Sequence, residues 1–345
     1  MEAKPIQFPS NLVFKSRLAL AGAGLSLMLM AAPTTLWAAA PDRGQQQAAL
    51  IFQILASEIA LSQGEVGVAA LTYLNVAKQT QDPTAARRAT ELAIEARSPQ
   101  RAEEAAQIWL ANAPNDQEAQ NTLDLLQLVQ GETQKLIRSL STRRLTASKE
   151  NKAELFYDYL ASLAGRAPDK LEGLKLFETV SDPDRNQSHV VYTRAMLNER
   201  AGRHPVMEAL LRELITREPN HAHAHNALGY HLADRNERLN EALTLIERAY
   251  ALAPNDAHII DSMGWVYFRL GRLDLAEKYL RLAYQQQPDA EISTHLAEVL
   301  WKKGQTAEAE SLFRAPVQAD PPSPILIKTL KRRGIWPPRG DPREL

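Results

Sequence analysis

The chain has 345 residues, of which 45% are hydrophobic and 23% are charged, and its formal net charge at pH 7 is −1. This near-neutral balance gives no support for a polyanionic partner such as nucleic acid. The sequence contains no cysteine, which excludes disulfides, thiolate metal sites, thiol nucleophiles and a lipid-modified cysteine.

The first forty residues have the pattern of an export signal. Basic residues precede a run from Leu18 to Ala32 that is apolar except for Ser26, Pro33 ends the run, and small residues suited to a signal peptidase follow up to Ala40. The run is shorter than the about 20 apolar residues of a transmembrane helix. We therefore predict a signal peptide over 1–40 and a location in the bacterial periplasm. An uncleaved inner-membrane anchor is the alternative, and only then would the chain contact a membrane.

The rest of the chain is predicted to be all-α. From Gln45 onward apolar residues recur at spacings of three and four, and no alternating β-branched run predicts a strand. Pro219, Pro254, Pro288 and Pro321 lie 35, 34 and 33 residues apart, each after an Ala-rich helical segment. A period near 34 residues is typical of stacked helix pairs, and the chain has room for about eight of them.

The first predicted repeats are irregular. The segments 49–81 and 83–114 each fit one helix pair loosely, and 115–182 is helical by periodicity but degenerate as repeats. Two polar stretches, Ser141–Asn151 and Ser181–Ser188, predict longer loops or a hinge.

The clearest repeat is 257–288, in which each small residue has a physical reason. Gly264 and Ala276 are predicted to lie where two antiparallel helices cross closely, because a larger side chain would separate the backbones. Gly271 is predicted to end the first helix with a positive φ. Pro288 prevents the second helix from continuing.

Two further units, 222–254 and 290–321, share these positions, and 188–219 fits them less closely through Ala195, Gly202 and Pro219. The unit 222–254 has one extra residue in its turn, which reads Arg235-Asn236-Glu237-Arg238. In 290–321, Pro316 stands where the unit should have an alanine for docking of the next repeat, which predicts a shortened or kinked second helix.

The motifs Leu228-Gly229-x-x-Leu232, Met263-Gly264-x-x-Tyr267 and Leu296-Ala297-x-x-Leu300, with their following alanines and prolines, match the tetratricopeptide-repeat (TPR) pattern. The resemblance implies a TPR α-solenoid, a right-handed superhelix of about eight antiparallel helix pairs that holds other proteins.

The segments Ile54–Ala60 with Asp82–Glu91, and Asn226–Tyr230 with Asp261–Trp265, resemble a proteobacterial family of exported TPR proteins, many of which are outer-membrane lipoproteins. That resemblance implies an assembly platform for envelope enzymes such as proteases and cell-wall hydrolases. This chain lacks the lipid-accepting cysteine of those lipoproteins.

Four parts are predicted along the chain. They are the signal peptide 1–40, degenerate TPR-like repeats over 41–187, well-formed repeats with a C-terminal capping helix over 188–334, and a disordered tail over 335–345. The capping helix is predicted from Ile325 to Arg333 and covers the apolar edge of the last repeat.

The family resemblance places side chains of the first helix of each repeat on the inner wall of the superhelix. The predicted partner-binding groove consists of Tyr192, His223, Asn226, Tyr230, Asp234, His258, Asp261, Trp265, Arg269, Glu298 and Lys302. Tyr192, Tyr230 and Trp265 form an aromatic line, with Trp265 as the strongest binding candidate because it follows Gly264. Packing of these rings between neighbouring helices is the alternative.

No reactive constellation is evident. His221 and His225 could share a face and reach one metal ion, but no further ligand stands at a useful spacing, so we predict no metal site. His189, His223 and His258 recur at one repeat position, which could make the groove sensitive to mild acid. No H-E-x-x-H, G-x-S-x-G, phosphate-binding glycine loop or S-x-x-K motif is present. We predict no catalytic residue, no cofactor and no enzymatic activity.

The sequence thus predicts a periplasmic TPR scaffold or adaptor that binds a protein or an extended peptide in its concave groove and supports an envelope enzyme or assembly. The alternative is a structural subunit of a cell-envelope secretion or polysaccharide-export complex, with its repeats permanently buried against a partner.

Overall fold

The computed structural model describes residues 43–318 together with Ile327 and Thr329. Those two positions are helical, and Thr329 is buried. The predicted signal peptide, the rest of the predicted capping helix and the predicted tail lie outside the described residues.

Within that range the chain forms sixteen α-helices and no strand, which confirms the prediction of an all-α chain with about eight helix pairs. A single 3₁₀ turn, Asp182–Asp184, follows the eighth helix. In order, the helices are α1 (Arg43–Ser62), α2 (Val66–Thr80), α3 (Pro83–Glu95), α4 (Pro99–Asn112), α5 (Gln117–Val129), α6 (Thr133–Lys149), α7 (Ala153–Gly165), α8 (Lys170–Ser181), α9 (Ser188–Arg200), α10 (His204–Arg217), α11 (Ala222–Asp234), α12 (Leu239–Leu252), α13 (Ala257–Arg269), α14 (Leu273–Gln286), α15 (Ala290–Lys302) and α16 (Thr306–Gln318).

The described residues divide into two compact units. The first extends to Asn151 and includes Arg166–Pro168, so it contains α1 to α6. The second consists of Lys152–Gly165 and the residues from Asp169 onward, so it contains α7 to α16. The division lies earlier in the chain than the predicted boundary at 187. None of the sixteen helices is long and apolar enough to cross a bilayer.

The two polar stretches have different outcomes. At Ser141–Asn151 a long loop is ruled out, because α6 continues to Lys149, but the division between the two compact units falls at the end of this stretch, after Asn151. Arg143 in this part of the helix forms an ion pair with the buried carboxylate of Asp124 on α5, which holds the polar half of α6 in place. The stretch Ser181–Ser188 does interrupt the helices, since the 3₁₀ turn there separates α8 from α9.

Small residues allow the helix pairs of the second unit to cross closely, as predicted. A Cβ atom added at Gly264 would lie 2.5 Å from Cγ of Leu280 and 3.1 Å from the carbonyl oxygen of Ala276. At Gly229 it would lie 2.6 Å from Cγ1 of Ile246. Ordinary van der Waals contact begins at 3.4 Å, so a larger residue at either glycine would push the paired helices apart.

The turns between paired helices depend on positive φ angles. Gly271 has φ +75°, which confirms the predicted helix end between α13 and α14. The longer turn between α11 and α12 places Asn236 at φ +59° and Arg238 at φ +43°. In the last pair, α16 continues past Pro316 to Gln318, so this proline does not end the helix. The core residues Ala309 and Phe313 hold the turns before it.

Aspartates begin several of the first helices of the repeats. The carboxylate of Asp256 accepts hydrogen bonds from the backbone N–H groups of His258 and Ile259, at 2.9 and 3.2 Å. Asp289 caps α15 in the same way. These caps satisfy backbone donors that a helix start leaves free and fix where each first helix begins.

Candidate functional site

The predicted groove lies on α9, α11, α13 and α15, the first helices of the four C-terminal repeats. Eight of the eleven predicted side chains retain exposed surface, namely Tyr192, His223, Asn226, Tyr230, Asp234, His258, Arg269 and Lys302. The structure corrects the other three. Asp261, Trp265 and Glu298 are only 4%, 1% and 5% exposed, so they belong to the packing between helices and not to an open wall.

Trp265 is enclosed by its neighbours on α13 and α15. Its ring stacks on the His295 ring, with centroids 4.1 Å apart and planes 19° apart, and on Phe268 at 5.1 Å. The guanidinium of Arg269 lies 5.7 Å from the centroid of the Trp265 ring. Packing between neighbouring helices, the alternative considered for each aromatic of the groove, is therefore what the structure shows for Trp265.

Asp261 is buried because it pairs with His295. The Nδ1 atom of His295 lies 2.9 and 3.0 Å from the two carboxylate oxygens of Asp261. Burial by itself would lower the pKa of His295, but the Asp261 carboxylate outweighs it, with help from Glu291 and Glu298, and the pKa is raised. The Asp261–His295 pair joins α13 to α15. Sequence analysis missed His295 because it does not occupy a wall position of the repeat.

Tyr230 and Tyr192 are the two aromatic side chains of the line that reach the surface. The Tyr230 hydroxyl donates a hydrogen bond of 2.7 Å to the Glu291 carboxylate, and burial together with that carboxylate raises the pKa of Tyr230 well above its ordinary value. Tyr192 stacks on His221 with centroids 5.6 Å apart and lies 6.4 Å from the ring of His223. Two of the three predicted aromatic side chains, Tyr192 and Tyr230, are therefore partly exposed.

Exposed histidines recur beside the helix-capping aspartates. Nδ1 of His223 lies 3.8 Å from a carboxylate oxygen of Asp256, and Nδ1 of His258 lies 3.8 Å from one of Asp289. Both histidine side chains are more than half exposed, at 60% and 58%. Each pair consists of a histidine on one first helix and the cap of the next first helix. The pairs therefore offer donors and acceptors at a regular repeat spacing. His189 makes a related contact, 3.4 Å from a carboxylate oxygen on α7.

His221 and His225, the pair considered as metal ligands in the sequence, have structural contacts. The ring of His221 accepts a hydrogen bond from the backbone N–H of Ala224 and so caps α11. His225 is buried, and its Nε2 lies 3.1 Å from the carbonyl oxygen of Pro219. Over the described part of the chain, no three histidine, aspartate or glutamate side chains converge as a metal site would require.

Basic side chains gather at the C-terminal ends of the first helices. Arg269 donates hydrogen bonds to the carbonyl oxygens of Ala233 and Asp234 at 3.0 and 3.4 Å, which ties α13 to the end of α11. Arg269 and Lys302 line one cavity of 280 Å³, whose remaining walls are Asn236, Phe268, Gly271 and Leu273. The cavity joins two predicted groove residues from successive repeats.

The comparisons with known sequences agree with this geometry. Residues 192–257 and 262–324 match the family model of the tetratricopeptide repeat. The TPR repeat-containing protein PA4667 of Pseudomonas aeruginosa is 51% identical over 110 residues, which are 32% of this chain and 19% of that protein. Human tetratricopeptide repeat protein 7A is 34% identical over 96 residues, which are 28% of this chain and 11% of that protein. The matched segments thus span less than a fifth of each curated relative.

Solved structures with similar folds include a thermophilic TPR protein, TTC0263 of Thermus thermophilus, at 22% identity and a TM-score of 0.46. That comparison covers 53% of this chain and 100% of the other. MamA of Desulfovibrio magneticus is 19% identical with a TM-score of 0.38, over 46% of this chain and 90% of the other.

Three independent features now agree on the fold: the period of prolines and small residues, the close helix crossings they permit, and the family match over the last four repeats. Folds of this kind are scaffolds for protein interactions and are generally not enzymes. The C-terminal part of the chain, over residues 192–257 and 262–324, consists of tetratricopeptide repeats.

Proposed function

We propose that this protein is a periplasmic scaffold or adaptor that binds a protein or an extended peptide along the first helices of its C-terminal repeats, in support of an envelope enzyme or assembly. The observation that carries the proposal is the row of accessible side chains on successive first helices. It runs from Tyr192 on α9 through His223 on α11 to His258 on α13.

This row suits an extended ligand. An extended chain presents alternating hydrogen-bond donors and acceptors over a long distance. The His223–Asp256 and His258–Asp289 pairs repeat once per helix pair and can meet such a chain at successive points. The partly exposed ring of Tyr192 adds apolar contact area at one end of the row.

Charge gives the proposed site a direction. Carboxylates of Asp256 and Asp289 lie at the N-terminal ends of α13 and α15, whereas Arg269 and Lys302 lie at the C-terminal ends of the same helices. A partner segment that crosses these helices is expected to place basic groups toward the aspartates and acidic groups toward the cations. Such a pattern selects for orientation more than for affinity.

The test compares two pairs of substitutions in affinity capture from periplasmic extract, with bound proteins quantified by mass spectrometry. His223→Ala/His258→Ala removes two accessible imidazoles of the row. Glu247→Ala/Lys278→Ala is the matched control, because both side chains are exposed but lie on second helices, α12 and α14. We expect the groove pair to reduce recovery of a bound protein at least ten-fold and the control pair to leave it unchanged. Equal recovery with both pairs would refute the groove assignment.

Export and the mode of association need separate measurements. A C-terminal fusion to alkaline phosphatase, which is active only outside the cytoplasm, should be active, and an inactive fusion would contradict the periplasmic location. Size-exclusion chromatography of detergent-free periplasm distinguishes the two functions considered. A chain that elutes free of other proteins supports an adaptor, whereas obligate co-elution with an envelope complex supports a structural subunit.

A further inference from the structure

The first helix carries a row of large apolar side chains that faces solvent. Ile51, Leu55 and Ile59 are spaced four residues apart on α1 and are 60%, 57% and 58% exposed, and Phe52 beside them is 71% exposed. Residues four apart share one face of a helix. These four side chains form a single stripe, which we name the α1 patch.

The opposite face of α1 packs against α2. Ser57 and Ala60 are buried where α1 packs on α2, so the α1 patch points away from the first repeat. Two exposed residues of α2, Val68 and Leu71, add apolar surface on the neighbouring helix. The only charged residue within the span of the patch is Glu58, which accepts a hydrogen bond of 2.7 Å from a tyrosine hydroxyl of α2.

The size of this surface is at the upper limit of what monomers expose. If a fully exposed large side chain presents about 180 Å², the α1 patch presents roughly 450 Å², and Val68 with Leu71 raise this to roughly 600 Å². The largest apolar patch of a typical monomeric protein is about 300–600 Å².

We propose that the α1 patch is a dimer interface that binds a second copy of this chain. Two α1 patches would bury roughly 900 Å² of apolar surface in total, and roughly 1,200 Å² where Val68 and Leu71 join the contact, which reaches the lower limit of standard protein interfaces. A two-fold interface uses the same surface on both subunits and must therefore complement itself. A straight apolar stripe with a spacing of four residues and almost no charge meets that requirement, because α1 of one copy can pack its ridge against α1 of the other.

The complete lack of cysteine makes a direct test possible. Leu55→Cys gives a chain with one thiol, at the centre of the α1 patch. Two-fold packing brings the two thiols together, so a short bismaleimide should link two chains into a species of twice the mass. Leu171→Cys on α8 is the matched control, since Leu171 is 53% exposed and Leu55 is 57% exposed. We expect the control to remain unlinked.

A second experiment measures the mass of the chain in solution and tests whether a charged residue in the α1 patch weakens the dimer. In sedimentation equilibrium under native conditions, the purified chain should have twice the mass that it has under denaturing conditions. Leu55→Glu should raise the dimer dissociation constant at least ten-fold, whereas Leu171→Glu should leave it unchanged. Neither substitution removes a buried side chain, so both variants should retain the helical content of the unsubstituted chain.

Two outcomes would overturn the proposal. A monomer whose thiol at Leu55→Cys reacts freely would show that the α1 patch is open to a different protein. A monomer whose thiol is protected would show that the residues before Arg43 cover it. The groove substitutions His223→Ala/His258→Ala should not alter the mass, so the dimer interface and the proposed groove can fail independently.

Discussion

Replacement of Trp265 by alanine tests whether this side chain belongs to the core or to the binding wall. The ring is 1% exposed and stacks on His295 at 4.1 Å. Loss of a fully buried tryptophan costs about 3–5 kcal/mol of unfolding free energy, because transfer energy is lost and a cavity remains. For a unit of 150–250 residues this lowers the melting temperature by about 6–20 °C.

The measurement is chemical denaturation followed by circular dichroism, with limited proteolysis to identify which unit opens. Trp265→Phe retains an aromatic ring against His295 and should cost about 1–2 kcal/mol. Tyr192→Ala, at a partly exposed position, should cost about 1 kcal/mol. A Trp265→Ala chain that unfolds within about 0.5 kcal/mol of the unsubstituted protein would refute the burial of this ring and would return it to the groove.

Two further predictions concern the helix crossings and the buried charge. Gly264→Ala should destabilise the second unit by about 1 kcal/mol, since the cost of overpacking against Leu280 exceeds the gain in helix propensity; Gly67→Ala has nothing within 4 Å and should stabilise the first unit by up to about 1 kcal/mol. Equal effects of the two substitutions in thermal melts would contradict the close crossing. Because Asp261 raises the pKa of His295, this pair stabilises the fold fully below pH 6.5, and that stability is lost as pH rises through the raised pKa. Thermal melts between about pH 6 and 9 should show the melting temperature falling as pH rises. His295→Gln should remove this pH dependence. An equal pH dependence in the variant and the unsubstituted chain would show that the pair does not cause it.

The repeat register could be predicted because few residue types fit at its key positions, and the reason for each is local to one helix pair. A glycine with a positive φ, such as Gly271, and a small residue at a helix crossing, such as Gly264, tolerate few substitutes, so the period is visible in the sequence. Helix pairs and their order follow from that period. The helical end of α6 was missed because serine and threonine resemble loop composition, although each costs a helix only a few tenths of a kcal/mol.

The groove was predicted less well for a physical reason. The repeat register determines which helix face a residue lies on, but it does not determine which side chain of the next helix packs against that residue. Trp265 and Asp261 both turn toward His295 on the next first helix, and that partner is set by tertiary packing and not by the repeat. His223 and His258 contact the capping aspartate of the next first helix without being enclosed by it, so more than half of each side chain remains exposed.

The hydrogen bond from Tyr230 to Glu291 has a mechanical consequence. A stack in which each repeat touches only its neighbours behaves as a spring that can stretch and bend. This bond joins α11 to α15 and passes over the repeat between them, so any widening of the coil at that point must break it. The bond therefore adds stiffness to the repeats that contain α11, α13 and α15, beyond what the contacts between neighbouring repeats supply.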